Sequence, residues 1–233
     1  IDIVLGYHNW PPLEAGKVGY TEGAVFAASD FFDITLKGVS GHAAHPHTTV
    51  DTITAAAYFI TQLQTIVSRE IAPIDPAVVS IGQIEGGTAR NIIASEVRLS
   101  GGIRGQSTEV MKRVEETMRR LLDGIKAGMR VDYELDYRLA VPVLRNDKAI
   151  LDRVLSSARG ILGDENVELL PSYSMGSEDL AFFTERFPSA HLRIGSKIDG
   201  LDTMLHKANY DCNEAAIPTA VRAVSQAAAD LLA

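Results

Sequence analysis

The sequence has 233 residues, 46% hydrophobic and 22% charged, ordinary proportions for a globular chain of one large or two modest domains. Thirty acidic residues outweigh 22 basic ones, for a net charge of −8. That excludes the basic surface a nucleic-acid groove needs, and no apolar run approaches the ~18 residues of a membrane span. A single cysteine, Cys212, excludes an internal disulfide and a Cys-rich metal cage, so a reducing, cytoplasmic compartment is the expectation.

Ile1 to Leu5 is an apolar run that reads as a buried strand. Chain termini are usually exposed and polar, so residues are expected upstream of it. Asp30 to Lys37 alternates at period 2, as a half-buried strand does. Asp51 to Val67 carries Ile53, Ala56, Ala57, Ile60, Leu63 and Val67 at helical spacing, and Pro73 and Pro76 punctuate the loop after it. Ala77 to Ile84 and Glu96 to Arg104 read as two strands joined through Gly86 and Gly87. Ser107 is the expected N-cap of a helix that Gly128 stops, and Val131 to Leu139 is a further strand. Strand, helix, strand, strand, helix, strand is the split βαβ order of a ferredoxin-like domain.

The flanks differ. Lys148 to Leu162 reads as a helix stopped by Gly163, Ser177 to Arg186 as a helix capped by Ser177, and Ala190 to Ile194 as a strand. Asn213 is expected to cap a last helix running to Leu232. The simplest arrangement is an α+β ferredoxin-like (βαββαβ) domain, residues 30–141, inserted into an α/β domain. The α/β domain is built here from residues 1–29 and 142–233, with its first part upstream.

Six histidines carry the candidate chemistry. His8 follows a strand in Gly6-Tyr7-His8-Asn9-Trp10-Pro11, a rigid mount for a ligand or for a hydrogen-bonded rim imidazole. His206 stands just before a helix, in Leu205-His206-Lys207, and suits a ligand, an acid/base group or a surface loop. His42, His45 and His47 crowd six residues after two glycines. Pro46 forbids a zincin helix there, and substrate contact fits better than metal. Asn91 can hydrogen-bond a substrate carbonyl or serve a turn. Arg104, ending a strand, can grip a carboxylate with two bonds or stand as an exposed charge.

Together these stretches resemble the M20 family of metallopeptidases and amidohydrolases, nearest its N-acyl amino acid branch of hippurate hydrolases and aminoacylases. Gly6 to Pro11, Lys37 to His47, Leu63 to Arg69 and Gly86 to Ile93 carry the likeness, with Gly176-Ser177-Glu178-Asp179-Leu180, Leu205-His206 and Asn213. The resemblance implies a catalytic α/β domain interrupted by a lid that dimerises. It implies two divalent metal ions, zinc by default with manganese, cobalt or nickel able to serve. His8 and His206 would be metal ligands. The family's Cys/His motif and Glu-Glu pair, which supply the other ligands and the general base, precede the stretch matching His8 and are expected upstream. His42 would stabilise the oxyanion in a partner's site, Asn91 and Arg104 would hold substrate, and Glu178 would orient site groups. The implied reaction is amide hydrolysis of N-acyl amino acids or small peptides by a homodimer, with no nucleic-acid or membrane partner. The alternative is a non-catalytic dimerisation or small-molecule-binding module. An RNA-binding sheet would want aromatic residues on its central strands, and Ala77–Ile84 and Glu96–Arg104 hold none.

Overall fold

A computed structural model describes residues 1–202 and 204–233. The chain divides into two compact units: Ile1–Phe26, Leu144–Ser174 and Glu178–Ala233 form one, Ala27–Val143 with Met175–Ser177 the other.

The second unit is built on two periodicities. Strands β4 (Ala28–Lys37), β6 (Ala77–Gly86), β8 (Glu96–Gly105) and β9 (Asp132–Val141) form an antiparallel sheet in the order β6-β8-β4-β9. Alternate residues Phe32, Ile34 and Leu36 on β4 and Val97, Leu99 and Ile103 on β8 are buried against two helices. The missing member of the β8 series is Gly101. A Cβ there would meet the Phe32 ring and the Ser80 carbonyl oxygen, each at 2.3 Å. Helix α1 (Thr52–Thr65) buries Ala55, Ala56, Phe59 and Leu63, and the Asp51 carboxylate caps it by accepting from Thr54 N–H at 3.0 Å. Five residues in wider π-helical turns, Ile66–Glu70, extend it. Helix α2 (Thr108–Met129) is capped by Ser107, as its spacing predicts.

Gly128 does not stop α2. The helix runs on to Met129, and Arg130 takes the left-handed cap at φ 62°. The Arg130 amide bonds Lys126 O at 3.0 Å and its guanidinium reaches Thr49 O at 3.4 Å. Those two bonds hold a residue where glycine is the usual choice. A short ribbon, β5 (Gly41–His42) against β7 (Ile92–Ile93), joins the segment after β4 to the connection between β6 and β8.

The first unit has shorter strands. β1 (Val4–Trp10), β2 (Val18–Tyr20), β11 (Val167–Leu169) and β12 (Ser189–Gly195) form a sheet ordered β1-β12-β2-β11; β3 (Ala24–Phe26) pairs with β10 (Leu144–Arg145). One sheet face packs Leu5, Val18, Ala190, Leu192 and Ile194 against α3 (Lys148–Leu162) and the alanine-rich α5 (Ala216–Leu232). Asp147 caps α3 through Ile150 N–H, and Ser157 Oγ bonds Asp230 at 2.5 Å across the helix pair.

Three expectations change in this unit. The first strand starts at Val4 and runs through Trp10, because it pairs with β12 along its whole length, so His8 lies inside a strand. The helix expected from Ser177 is a single turn, α4 (Ala181–Thr184), without a side-chain cap. Asn213 caps the turn before α5, its Oδ1 accepting from Ala215 N–H at 3.0 Å. Among the described residues no helix is long and apolar enough to cross a membrane.

Candidate active site

On β1 and β12 the sheet face turned away from α3 and α5 carries His8 and Trp10 on one strand, His191 and Arg193 on the other. The strands are parallel, with His8 opposite Arg193 and Gly6 opposite His191. Phe26 collects the four side chains. Its ring centroid lies 6.2 Å from that of His8, 6.5 Å from Trp10 and 5.3 Å from His191, the last two edge-on. Gly6 completes the face by having no side chain: a Cβ would meet Leu180 Cδ2 at 2.2 Å.

Two buried polar residues support this face, and neither is legible in the sequence. Arg193 is 2% exposed. Its guanidinium sits 4.1 Å over Trp10 and 5.0 Å from the Phe26 centroid, and donates to Val25 O at 2.8 Å and Ser172 O at 3.3 Å. Burial pulls its pKa down to about 10. His191, equally buried, has both ring nitrogens without a hydrogen-bond partner among the described residues. Burial first, then the charges of His8 and Arg193, pull its pKa down to about 3, so the ring is neutral. Its backbone is pinned by Asn146, whose Oδ1 accepts from His191 N–H at 2.6 Å and whose amide nitrogen donates to Thr21 O at 2.9 Å and His191 O at 3.3 Å. An alternating His-x-Arg on a strand is the only sequence signal for the pair, and it is a faint one.

His8 Nδ1 bonds Asn9 O at 2.7 Å. With the proton on Nδ1, Nε2 keeps its lone pair, and a carbonyl bonded to the other ring nitrogen is the usual support of a ligating imidazole. Glu178 lies close enough to feel His8. Burial pushes its carboxyl above the usual range and neighbouring Asp179 adds to this, while the Leu180 N–H bond and the His8 charge oppose it. The His206 segment is tied to the end of β1 by Asn9 donating to the Tyr210 hydroxyl, and to the end of β12 by Asn213 N–H donating to Ser196 O at 3.0 Å. His206 is exposed with φ 65°, a left-handed backbone that a residue with a side chain adopts at a cost and that clusters at functional sites. Among the described residues no three His, Cys, Asp or Glu side chains are placed to hold one ion. The donors present fit a metal in kind, and a complete coordination shell needs more than they supply.

In the other unit His42, Asn91 and Arg104 fall into two groups. His42 lies in the β5–β7 ribbon and Asn91 directly before β7, where Ala43 N–H bonds Asn91 O at 3.0 Å. Ala44 N–H donates to His42 Nδ1 at 3.1 Å, which puts the ring proton on Nε2 and leaves it free to donate outward. The His45 ring centroid lies 6.0 Å from His42 and 6.2 Å from His47, all three exposed. Beside the ribbon lies an open cavity of about 340 Å³, lined by Ser40, Gly87, Thr88, Ser95 and Arg98 among others. Arg104 sits at the far end of β8, flanked by Ser29 on β4 and Val78 on β6. The ribbon adjoins the opposite end of β8, through Gly38 N–H to Ser95 O at 2.8 Å. The run from Glu96 to Arg104 spans about 27 Å of strand. Within one chain, a small substrate cannot touch both groups.

Residues 29–129 match the family model described as the M20 peptidase dimerisation domain. A Synechocystis sp. protein carrying only a general hydrolase name is 37% identical over 228 residues, covering 97% of this chain and 58% of its own. The N-acetyldiaminopimelate deacetylase of Bacillus cytotoxicus is 35% identical over 226 residues, again 97% of this chain and 58% of its own. Among solved structures, the Bacillus subtilis YXEP protein, described as a dinuclear metal binding peptidase from the M20 family, matches with a TM-score of 0.80. It is 27% identical and covers 100% of this chain and 58% of that one. The chain therefore spans just under three fifths of the length of the curated relatives it matches. It belongs to the M20 family.

Proposed function

We propose that this member of the M20 family serves hydrolysis of the amide bond of N-acyl amino acids or small peptides, as part of a metal-dependent amidohydrolase. The observation that carries the reading is the His8 imidazole, held by a carbonyl on Nδ1 and free on Nε2, near the partly buried carboxyl of Glu178. Kinship with an N-acetyl amino acid deacetylase over nearly the whole chain supports the substrate class. His8 and His206 would hold two divalent ions, zinc first by donor type and manganese, cobalt or nickel next. When bound, such a pair lowers the pKa of water and polarises the scissile carbonyl.

The remaining roles belong to this chain's own groups. His42 Nε2–H donates to the carbonyl oxygen as charge builds on it, a contribution of roughly 10²–10³ in rate in oxyanion holes of this kind. Asn91 holds substrate from directly before β7. Arg104 grips the substrate carboxylate, giving an acidic chain the local positive charge it needs to retain an anion. Glu178 orients the groups around His8. The span of strand between the ribbon and Arg104 supports a shared site, with His42 and Asn91 reaching the partner of a homodimer. The unit that carries them is read as a ferredoxin-like lid, on its β-α-β-β-α-β order and β6-β8-β4-β9 sheet.

The test is acetate release from a panel of N-acetyl amino acids by the natural gene product loaded with zinc, beside His42→Ala. Hydrolysis is expected, falling at least tenfold in the variant with metal content unchanged. A folded, metal-loaded protein that releases no acetate from any member would put the non-catalytic module in its place.

A further inference from the structure

Ser177, in a helix-start pattern, caps no helix. Its hydroxyl oxygen instead accepts from Arg104 Nη1 at 2.9 Å. We propose that Ser177 is a positioning residue that sets the Arg104 guanidinium for one carboxylate, and so fixes the preference for substrates with a free acid; this rests on the carboxylate-gripping role given to Arg104 above.

Arg104 is mounted on a strand, and Ser177 on an exposed irregular segment held by a backbone bond at its neighbour. Arg104 lies on β8, bonded on both sides, on the sheet face opposite the helices. The neighbour of Ser177 in the chain, Gly176, accepts from Ala27 N–H at 2.9 Å, just before β4 begins. Ala27 is fully buried, so that anchor is fixed. A guanidinium has five donors in a planar fork. Engaging Nη1 leaves Nε–H and Nη2–H as a parallel pair on the other edge, the geometry that binds a carboxylate through two bonds. Arg104 has no acidic partner among the described ion pairs, so that edge is available. The Ser177 oxygen acts as acceptor toward Arg104, so its own proton remains for a second bond to the same ligand. Without the hydroxyl the long arginine side chain regains rotamers, and binding must freeze them again.

The experiment compares kcat and KM on the best-hydrolysed N-acetyl amino acid and on its methyl ester, for the natural gene product, Arg104→Ala, Ser177→Ala and Ser177→Thr. Arg104→Ala is expected to abolish the preference for the acid. Ser177→Ala should raise KM for the acid about three- to tenfold, with kcat and the ester's KM little changed, and Ser177→Thr should restore it. An unchanged acid KM in Ser177→Ala, with Arg104→Ala defective, overturns the role of Ser177 alone. An unchanged preference in Arg104→Ala overturns the role of Arg104, and with it this one. A kcat loss in Ser177→Ala that is equal on acid and ester would make Ser177 merely structural and overturn its positioning role.

Discussion

The two units place their candidate site residues differently with respect to buried polar groups. In the unit built on β4, β6, β8 and β9, the candidate site residues lie at the surface: His42 and Asn91 are exposed, and Arg104 is partly so. Its interior is mainly apolar, from Phe32 to Ile125, and its one buried carboxyl among the described residues, Asp30, accepts from the Tyr137 hydroxyl at 2.9 Å, away from those site residues. In the unit built on β1 and β12, polar groups are part of the interior. Arg193 is buried between two aromatic rings, the His191 ring nitrogens are buried without a hydrogen-bond partner among the described residues, and Asn146 pins the strand that carries both. The difference teaches where function is bound to stability. Site residues of the first kind can be exchanged at little cost to the fold. Those of the second kind sit on a scaffold whose own polar groups have been desolvated, and desolvation is what moves the titration of Glu178 and His191.

This contrast can be broken or sharpened by four changes. The largest effect is expected from Phe59→Ala, which empties a fully buried site on α1 and should lower unfolding stability by about 4 kcal/mol in a urea titration. Asn146→Ala should come next at about 3 kcal/mol, because it leaves a buried N–H and two carbonyls unpaired. If it cost no more than a surface substitution, the polar interior would be incidental.

The third change is in pH. The folded pKa of His191, about 3, is below the ordinary 6.5, so the unfolded chain takes up the proton first. The contribution of the neutral ring is complete above pH 6.5 and is lost as pH falls toward 3. At about 1.4 kcal/mol per unit, it removes roughly 3 kcal/mol between pH 6.5 and 4. His191→Phe should flatten the acid limb of stability by that amount, and an identical limb in both proteins would contradict a neutral buried ring. The smallest effect is expected from His42→Ala and Asn91→Ala, within about 0.5 kcal/mol by the same titration.

The legibility of the sequence divides in the same way. Long strands with strict alternation and helices with Asp51 and Ser107 at their caps are local signals, and they place the elements from Ala28 to Val141 within a few residues. Strands of two or three residues, such as Val18–Tyr20 and Val167–Leu169, are too short for a period and are held by partners distant in the chain. His8, His42 and Glu178 stand out by residue type and motif. Arg193 and His191 do not, because their role comes from Trp10, Phe26 and Asn146, which only the fold brings near. Ser177 misleads for a physical reason: Ser-Glu-Asp is a helix-start pattern, and here tertiary hydrogen bonding takes the hydroxyl that would have capped.

The proposed activity depends above all on metal held by His8 and His206. Divalent metal per chain, measured on the purified natural gene product and on its His8→Ala and His206→Ala variants, tests this directly. Two ions in the parent with clear loss in each folded variant is the predicted result. A parent that retains none after incubation with zinc, or variants that retain the full complement, would contradict it.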